Sequence, residues 1–297
     1  MKILLVGPPE ALRFDTGRAL AAMYLLSPFV WRDQDQFRIA LRAVPRSEKK
    51  EEKISRVHFG TSENGVRFRL DDTALLSPGP GSDDHDGCED PTVVQDGCGG
   101  HRVFYSGWDQ SREQGELLSA VTDADPAPFR KLGRVLPQPN RFLNAKEASV
   151  TQAEDGSWRL IFEYSSNGHS ATAIVVSNAL DGPWTPMEDP LVGRPGKWDD
   201  FHVSPGPVIA MSDGLRLLFY NGANDQTQWR IGWAQLDANC TSIVTRCIEP
   251  LITPPPPVGD ASDIAFCSSV VPDNEQLWLY YTVSDKDCFR QRVVVSE

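Results

Sequence analysis

A pair of apolar strands recurs five times along this chain of 297 residues, and few folds accommodate that. The first strands of the pairs read Phe37-Arg-Ile-Ala-Leu-Arg42, His101-Arg-Val-Phe-Tyr-Ser106, Trp158-Arg-Leu-Ile-Phe-Glu163, Leu215-Arg-Leu-Leu-Phe-Tyr220 and Gln276-Leu-Trp-Leu-Tyr-Tyr281. The second strands read Arg56-Val-His-Phe-Gly-Thr61, Leu117-Leu-Ser-Ala-Val-Thr122, Thr172-Ala-Ile-Val-Val-Ser177, Arg230-Ile-Gly-Trp-Ala-Gln235 and Arg292-Val-Val-Val-Ser296. The units start roughly 55–65 residues apart, on the scale of propeller blades. A single blade cannot bury its own apolar faces, so five of them must close around a shared axis. The expected fold is all-β: a five-bladed β-propeller, one catalytic domain over residues 1–297, with a central active-site channel.

The 23 Gly and 23 Pro suit an all-β chain with many turns. A formal net charge of −12 argues against nucleic acid or an anionic membrane surface as partner. No apolar run approaches a membrane span. Met1-Lys-Ile-Leu-Leu-Val-Gly7 is too short for a signal peptide and is interrupted by Pro8-Pro9, so a cytoplasmic location is expected. The six cysteines (Cys88, Cys98, Cys240, Cys247, Cys267 and Cys288) form no CxxC pair and read as reduced packing residues.

Met1–Val6 reads as a strand that completes the last blade and closes the ring. Arg13–Leu26 has partly helical spacing, and Lys49-Lys-Glu-Glu-Lys53 reads as a solvated hairpin tip. Pro78–Gly81 and Pro254–Pro257 read as stiff connectors between blades.

The strand nearest the axis opens each blade. Candidates begin at Leu26, Glu89, Lys146, His202 and Asp263, and four of the five open on an ionisable residue. Asp90 lies 13 residues before Val103 and Glu147 lies 13 before Leu160, so both hold equivalent places in adjacent blades. His202 and Asp263 stand about 15 residues before Leu217 and Trp278. Equivalent places in a ring converge on one mouth, which gathers Glu89, Asp90, Lys146, Glu147, His202 and Asp263 around one cavity. Facing carboxylates resist joint ionisation, so one stays protonated as a general acid while another activates water or attacks. Glycoside hydrolysis uses such a pair.

At these residues a resemblance emerges. Gly87-Cys-Glu-Asp-Pro91 resembles the Glu-Asp-Pro-Arg signature of glycoside hydrolase family 130, the mannoside phosphorylases and mannosidases. Ser62-Glu-Asn-Gly-Val-Arg-Phe68, Asn144-Ala-Lys-Glu147, Trp198–Pro207, Leu217–Ala223 and Tyr280–Asp285 resemble further motifs of that family, in the same order. The family's fold is the five-bladed propeller. The resemblance implies that Asp90 is the general acid, that Glu89 binds sugar hydroxyls, and that Lys146, His202, Asn221 and Asp285 line the sugar subsite. Arg42 matches an arginine of the family's first blade. The base is one of Glu147, Glu163 and Asp263, and Glu163 otherwise serves as a substrate-binding residue. Trp108 and Trp229 are candidates for stacking on sugar faces.

The departures from the family pattern carry their own implication. Thr92 stands where the phosphorylases carry the arginine of Glu-Asp-Pro-Arg, and Asn221 replaces the histidine of Tyr-His-Gly-Val. Glu163-Tyr-Ser165 replaces His-Arg-Pro. These cations hold phosphate in the family, and each charged hydrogen bond is worth about 1.5–3 kcal/mol. Losing two lowers phosphate affinity by roughly two to four decades. Inverting hydrolysis of a short β-mannoside is therefore expected, with a phosphorylase or a glycan-binding propeller as alternatives. Asp83-Asp-His-Asp86 lacks a regular calcium loop, and no metal or cofactor is expected. The expected partner is a small oligosaccharide.

Overall fold

Each of the ten recurring segments lies within or against a strand of its own sheet, and the sheets are antiparallel meanders read outward from the axis. The computed structural model describes residues 2–80, 82–95, 100–122, 129–136, 141–273 and 276–296. Cys98 and Gly81 of the Pro78–Gly81 connector lie outside the described residues. Inner strands Met23–Asp33, Gly87–Gln95, Leu143–Gln152, His202–Ala210 and Ala265–Asp273 open blades one to five. Each contacts the inner strand of the next blade, and the fifth contacts the first, so the ring closes. The fold is a five-bladed β-propeller.

Middle strands such as Trp158–Ser166 and Arg216–Ala223 are buried on both faces, because a neighbouring blade covers each side. That explains their unbroken apolar runs, where a half-exposed strand would alternate. The core therefore lies in layers between blades. Leu217, Phe219 and Ile231 of blade four meet Leu279, Tyr281 and Val293 of blade five. Phe104 and Leu117 of blade two meet Leu160 and Phe162 of blade three. Each such fully buried side chain contributes about 1.5–3 kcal/mol.

The ring is latched by Lys2–Ala11, which pairs antiparallel with Asp287–Ser296 in the register Lys2↔Ser296 to Val6↔Arg292. The ladder slips over Gly7-Pro8-Pro9, where prolines cannot donate, and resumes at Glu10↔Arg290. The Glu10–Arg290 ion pair, 2.9 Å, fastens the resumed register. Blade one has a fifth strand, Arg13–Asp15, running parallel to Arg67–Leu70. The partly helical stretch around it yields only the short helix Arg18–Ala21, because its remaining apolar residues are drawn into sheet. Lys50–Glu52 is an exposed 3-10 turn, as expected of a solvated tip.

No helix among the described residues is long and apolar enough to cross a membrane. The five described cysteines are buried and free.

Candidate active site

All five inner strands break register at one equivalent point. The breaks fall between Leu26 and Phe29, Glu89 and Thr92, Lys146 and Ser149, Pro205 and Val208, and Cys267 and Ser269. A bulge inserts one residue, bends the strand and re-aims a side chain. In blades one to three the inserted residue has left-handed backbone: Ser27 at φ 52°, Asp90 at φ 45° and Glu147 at φ 52°. Such strain costs about 1–3 kcal/mol per non-glycine residue and clusters at functional sites. It turns three polar side chains toward the axis. Blade four has Gly206 and blade five Ser268 at the same point, so the acids on the bulges are confined to two adjacent blades.

Asp90 and Glu147 are hydrogen-bonded to each other. Burial pushes the Asp90 carboxyl up, but Arg42, the Ser27 hydroxyl and the Glu147 hydrogen bond outweigh it and hold Asp90 below the usual carboxylate range. Ser27 Oγ donates to Asp90 Oδ1 at 2.6 Å, and Arg42 Nη1 donates to the same oxygen at 3.3 Å. Burial, and then the Asp90 and Glu163 charges, push Glu147 well above the carboxylate range. The opposite shifts favour an ionised Asp90 and a proton on the Glu147 carboxyl.

Glu89 lies beneath this pair. Its Oε1 accepts from Ser55 Oγ at 2.9 Å and is ion-paired with Arg42 Nη2, while burial raises its carboxyl. On the other flank, Lys146 Nζ approaches Glu163 Oε1 at 3.4 Å, and the Glu163 charge is the main cause of its raised pKa. Ser170 Oγ donates to the same Glu163 oxygen at 2.8 Å. A cavity of about 190 Å³ is lined by Asp90, Glu147, Glu163, Asp285, Arg42 and Lys146, with Trp229 and Phe266 as apolar walls. Four carboxyl groups thus face two cations, and each cation is already paired with a carboxylate. Asp285 sits at the tip of the Val283–Asp287 hairpin with φ 54°, on the cavity wall and crowded enough that burial raises its carboxyl.

The remaining candidates lie elsewhere. Asp263 stands outside the cavity, ion-paired with Arg230 at 2.8 Å, and that hydrogen-bonding partner lowers its pKa. His202 lies behind the wall. Its Nδ1 accepts from Ser170 N at 3.0 Å, its ring packs 5.3 Å from Trp229, and burial lowers its pKa. Counting back from the middle strands placed both residues too early, because the bulge positions in their blades are Gly206 and Ser268. Asn221 is fully buried and turned from the cavity: Nδ2 donates to Pro205 O at 3.2 Å, and Oδ1 accepts from Cys267 N at 2.8 Å. It ties the inner strands of blades four and five together. Trp108, opposite Gly87 in blade two, does not line the cavity, whereas Trp229 does. Thr92 Oγ1 donates to Ala148 O at 2.6 Å, linking the inner strands of blades two and three.

Ser27, Ser170 and Phe266 were not foreseen. The dipeptides Ser27-Pro28, Asp90-Pro91 and Gly206-Pro207 mark the bulge in three inner strands, since proline in a sheet is tolerated mainly at bulges and edges. That signal points to Ser27. Near the Asp83–Asp86 run, His85, Asp86 and Asp109 bring ligand atoms within 4.8 Å of one another. Their oxygens already accept from Gln110 N, Ser111 and Arg112, while Asp83 pairs with Arg134 and Asp84 is buried against Tyr105 and Lys131.

A ring of five blades with buried, coupled carboxyls at one mouth of its axis defines the class of carbohydrate-active five-bladed propellers. Within it the chain belongs to glycoside hydrolase family 130. The matching family model, described as β-1,4-mannooligosaccharide phosphorylase, covers residues 35–289. A 1,2-β-oligomannan phosphorylase of Thermoanaerobacter sp. (strain X514) is 25% identical over 78% of this chain and 76% of its own. The β-1,2-mannobiose phosphorylase of Listeria innocua is 24% identical over 78% of this chain, which spans 64% of that relative's length. The solved structure of a Listeria innocua β-1,2-mannobiose phosphorylase with β-1,2-mannobiose bound superposes with a TM-score of 0.76 at 19% identity, covering 99% of this chain and 97% of that one. A further solved structure superposes with a TM-score of 0.74 at 20% identity over 91% of this chain and 84% of that one, and is described with the finding that this family of mannoside phosphorylases contains glycoside hydrolases that target β-1,2 mannosidic linkages in Candida mannan.

Proposed function

We propose that the chain hydrolyses a short β-mannoside with inversion, residues 1–297 acting as one catalytic unit. One observation carries this reading: the cavity's cations, Arg42 and Lys146, are both neutralised by carboxylates, and the acids outnumber them four to two. A phosphate dianion entering there would meet repulsion with no unpaired cation among the described lining residues, whereas water carries no charge.

Two carboxyls in direct hydrogen bond are far closer than the about 5–5.5 Å of a retaining pair or about 6.5–9.5 Å of an inverting pair. Asp90 and Glu147 therefore act as one acid. As the sugar enters, the shared proton moves from Glu147 to Asp90, and Asp90 gives it to the leaving glycosidic oxygen as the C1–O bond breaks. Glu163, ion-paired with Lys146 and oriented by Ser170, takes a proton from the water whose oxygen bonds to C1. Trp229 and Phe266 offer apolar walls for a sugar face.

A phosphorylase remains the second reading, because the named relatives are phosphorylases. The five free buried thiols suit a reducing, intracellular location. The test is a screen of β-1,2- and β-1,4-mannobiose and gluco-disaccharides against wild type and Glu163→Gln. Wild type releases mannose from a mannobiose, and the variant loses kcat with KM little changed. If Glu163→Gln keeps full turnover, Glu163 is not the base.

A further inference from the structure

Two more cavities adjoin the catalytic one in series, and their chemistry changes along the way. The first, about 660 Å³, shares Leu26, Arg42 and Asp285 with the catalytic cavity and is mainly polar, with Lys53, Asp260 and Ser262 on its walls beside Val44 and Val258. The second, about 550 Å³, shares Val258, Ala261, Ser284 and Lys286 with the first. Its walls are mainly apolar: Leu251, the Pro254–Pro257 run, Val283 and Phe289, with Leu5 of the closing strand, beside Asp287 and Gln291. Both volumes lie in the ordinary range for ligand sites.

Val258, at the shared wall, is 87% exposed, and the exposed Pro255–Pro257 beside it has the stiff backbone of a proline run. Apolar surface kept in water beside a polar, sugar-sized space calls for an occupant with both characters. The order from the axis outward is carboxyls, polar vestibule, apolar cleft.

We propose that the leaving portion of the substrate runs out past the Ser284–Lys286 tip of blade five, with a polar sugar in the vestibule and an apolar aglycone, such as an alkyl or acyl chain, in the Pro254–Val258 cleft. This rests on the reading of the catalytic cavity as a mannosidase site. The substrate class it assigns is a mannoside joined through sugar to an apolar group. Each methylene buried in such a cleft improves binding by up to about fourfold.

The test uses methyl, propyl, hexyl and octyl β-1,2-mannobiosides below their micelle concentrations. For wild type, kcat/KM rises about two- to fourfold per added methylene and then levels off. Pro256→Asp, an exposed substitution that lines only the apolar cleft, flattens that rise, so the ratio of octyl to methyl kcat/KM collapses. Cleavage of all four glycosides at equal kcat/KM overturns the proposal and leaves the mannosidase reading standing. If none is cleaved, that reading fails, and calorimetric Kd values for the same series decide: a chain-length rise abolished by Pro256→Asp upholds the cleft, and flat values overturn it. Sedimentation showing a dimer that Pro256→Asp dissociates, with no effect on chain-length dependence, assigns the cleft to contact between copies and also overturns the proposal.

Discussion

Asp90 and Glu147 divide one proton unequally because their surroundings differ. Asp90 faces Arg42 and the Ser27 hydroxyl, while Glu147 faces two carboxylates. Asp90→Asn keeps the carboxyl's shape but cannot deliver a proton, so kcat falls about 10²–10⁴-fold while circular dichroism and sugar binding persist. Retained turnover would exclude Asp90 as donor. Glu147 also makes stability depend on pH. Its folded pKa is raised above the unfolded value, so its contribution is fully present below the ordinary carboxylate range and is lost as pH rises through the raised value. Glu147→Gln, which can still donate to Asp90, removes that loss. Calorimetry should find Tm equal to wild type near pH 4 and about 1–2 °C higher at pH 8, the shift about 1 kcal/mol produces in a chain of this size. A variant less stable at both pH values contradicts this account of the pair. These two acids were legible in the sequence because each keeps the same offset to its middle strand. Asp263 and His202 were misplaced because the hairpins joining inner and middle strands in blades four and five are two and three residues shorter than those in blades two and three.

At the scale of the element, the bulged inner strand is what makes a sheet into a site. The middle and following strands could be read from apolar runs because packing between blades demands them. The inner strands were harder, since their polar residues answer to the cavity and to neighbouring strands at once. Asn221 illustrates the difficulty. Its place where the family carries a histidine suggested a ligand, yet both ends of its amide bond backbone of blades four and five. Asn221→Ala leaves a buried carbonyl and a buried N–H without partners, at about 1–3 kcal/mol each. Urea unfolding should register a loss of about 2–5 kcal/mol with KM for mannobiose unchanged. A raised KM at unchanged stability would make it a ligand after all. The closing strand is tested by deleting residues 2–11, which exposes the edge of Asp287–Ser296. An unpaired edge invites association, so the truncated chain should aggregate or unfold at lower temperature than the full one. Equal stability would show that the latch contributes nothing.

Over the whole molecule, the repeat sets the ring, and the ring sets which residues meet. Five blades bring Arg42, Asp90, Glu147, Glu163 and Asp285 from four blades to one cavity. The sequence displayed the blade count and most of these residues. It did not display that the cavity's two cations would be neutralised by the acids beside them, because pairing depends on distances only the closed ring creates. The central claim is that this neutralised, acid-rich cavity admits water and not phosphate. Proton NMR of β-1,2-mannobiose turnover, followed in real time in phosphate buffer, reads both the product and its first anomer. The account predicts that α-mannose appears first, at a rate phosphate does not raise. Accumulation of α-mannose 1-phosphate contradicts it and establishes phosphorolysis, and β-mannose appearing first contradicts the inverting geometry.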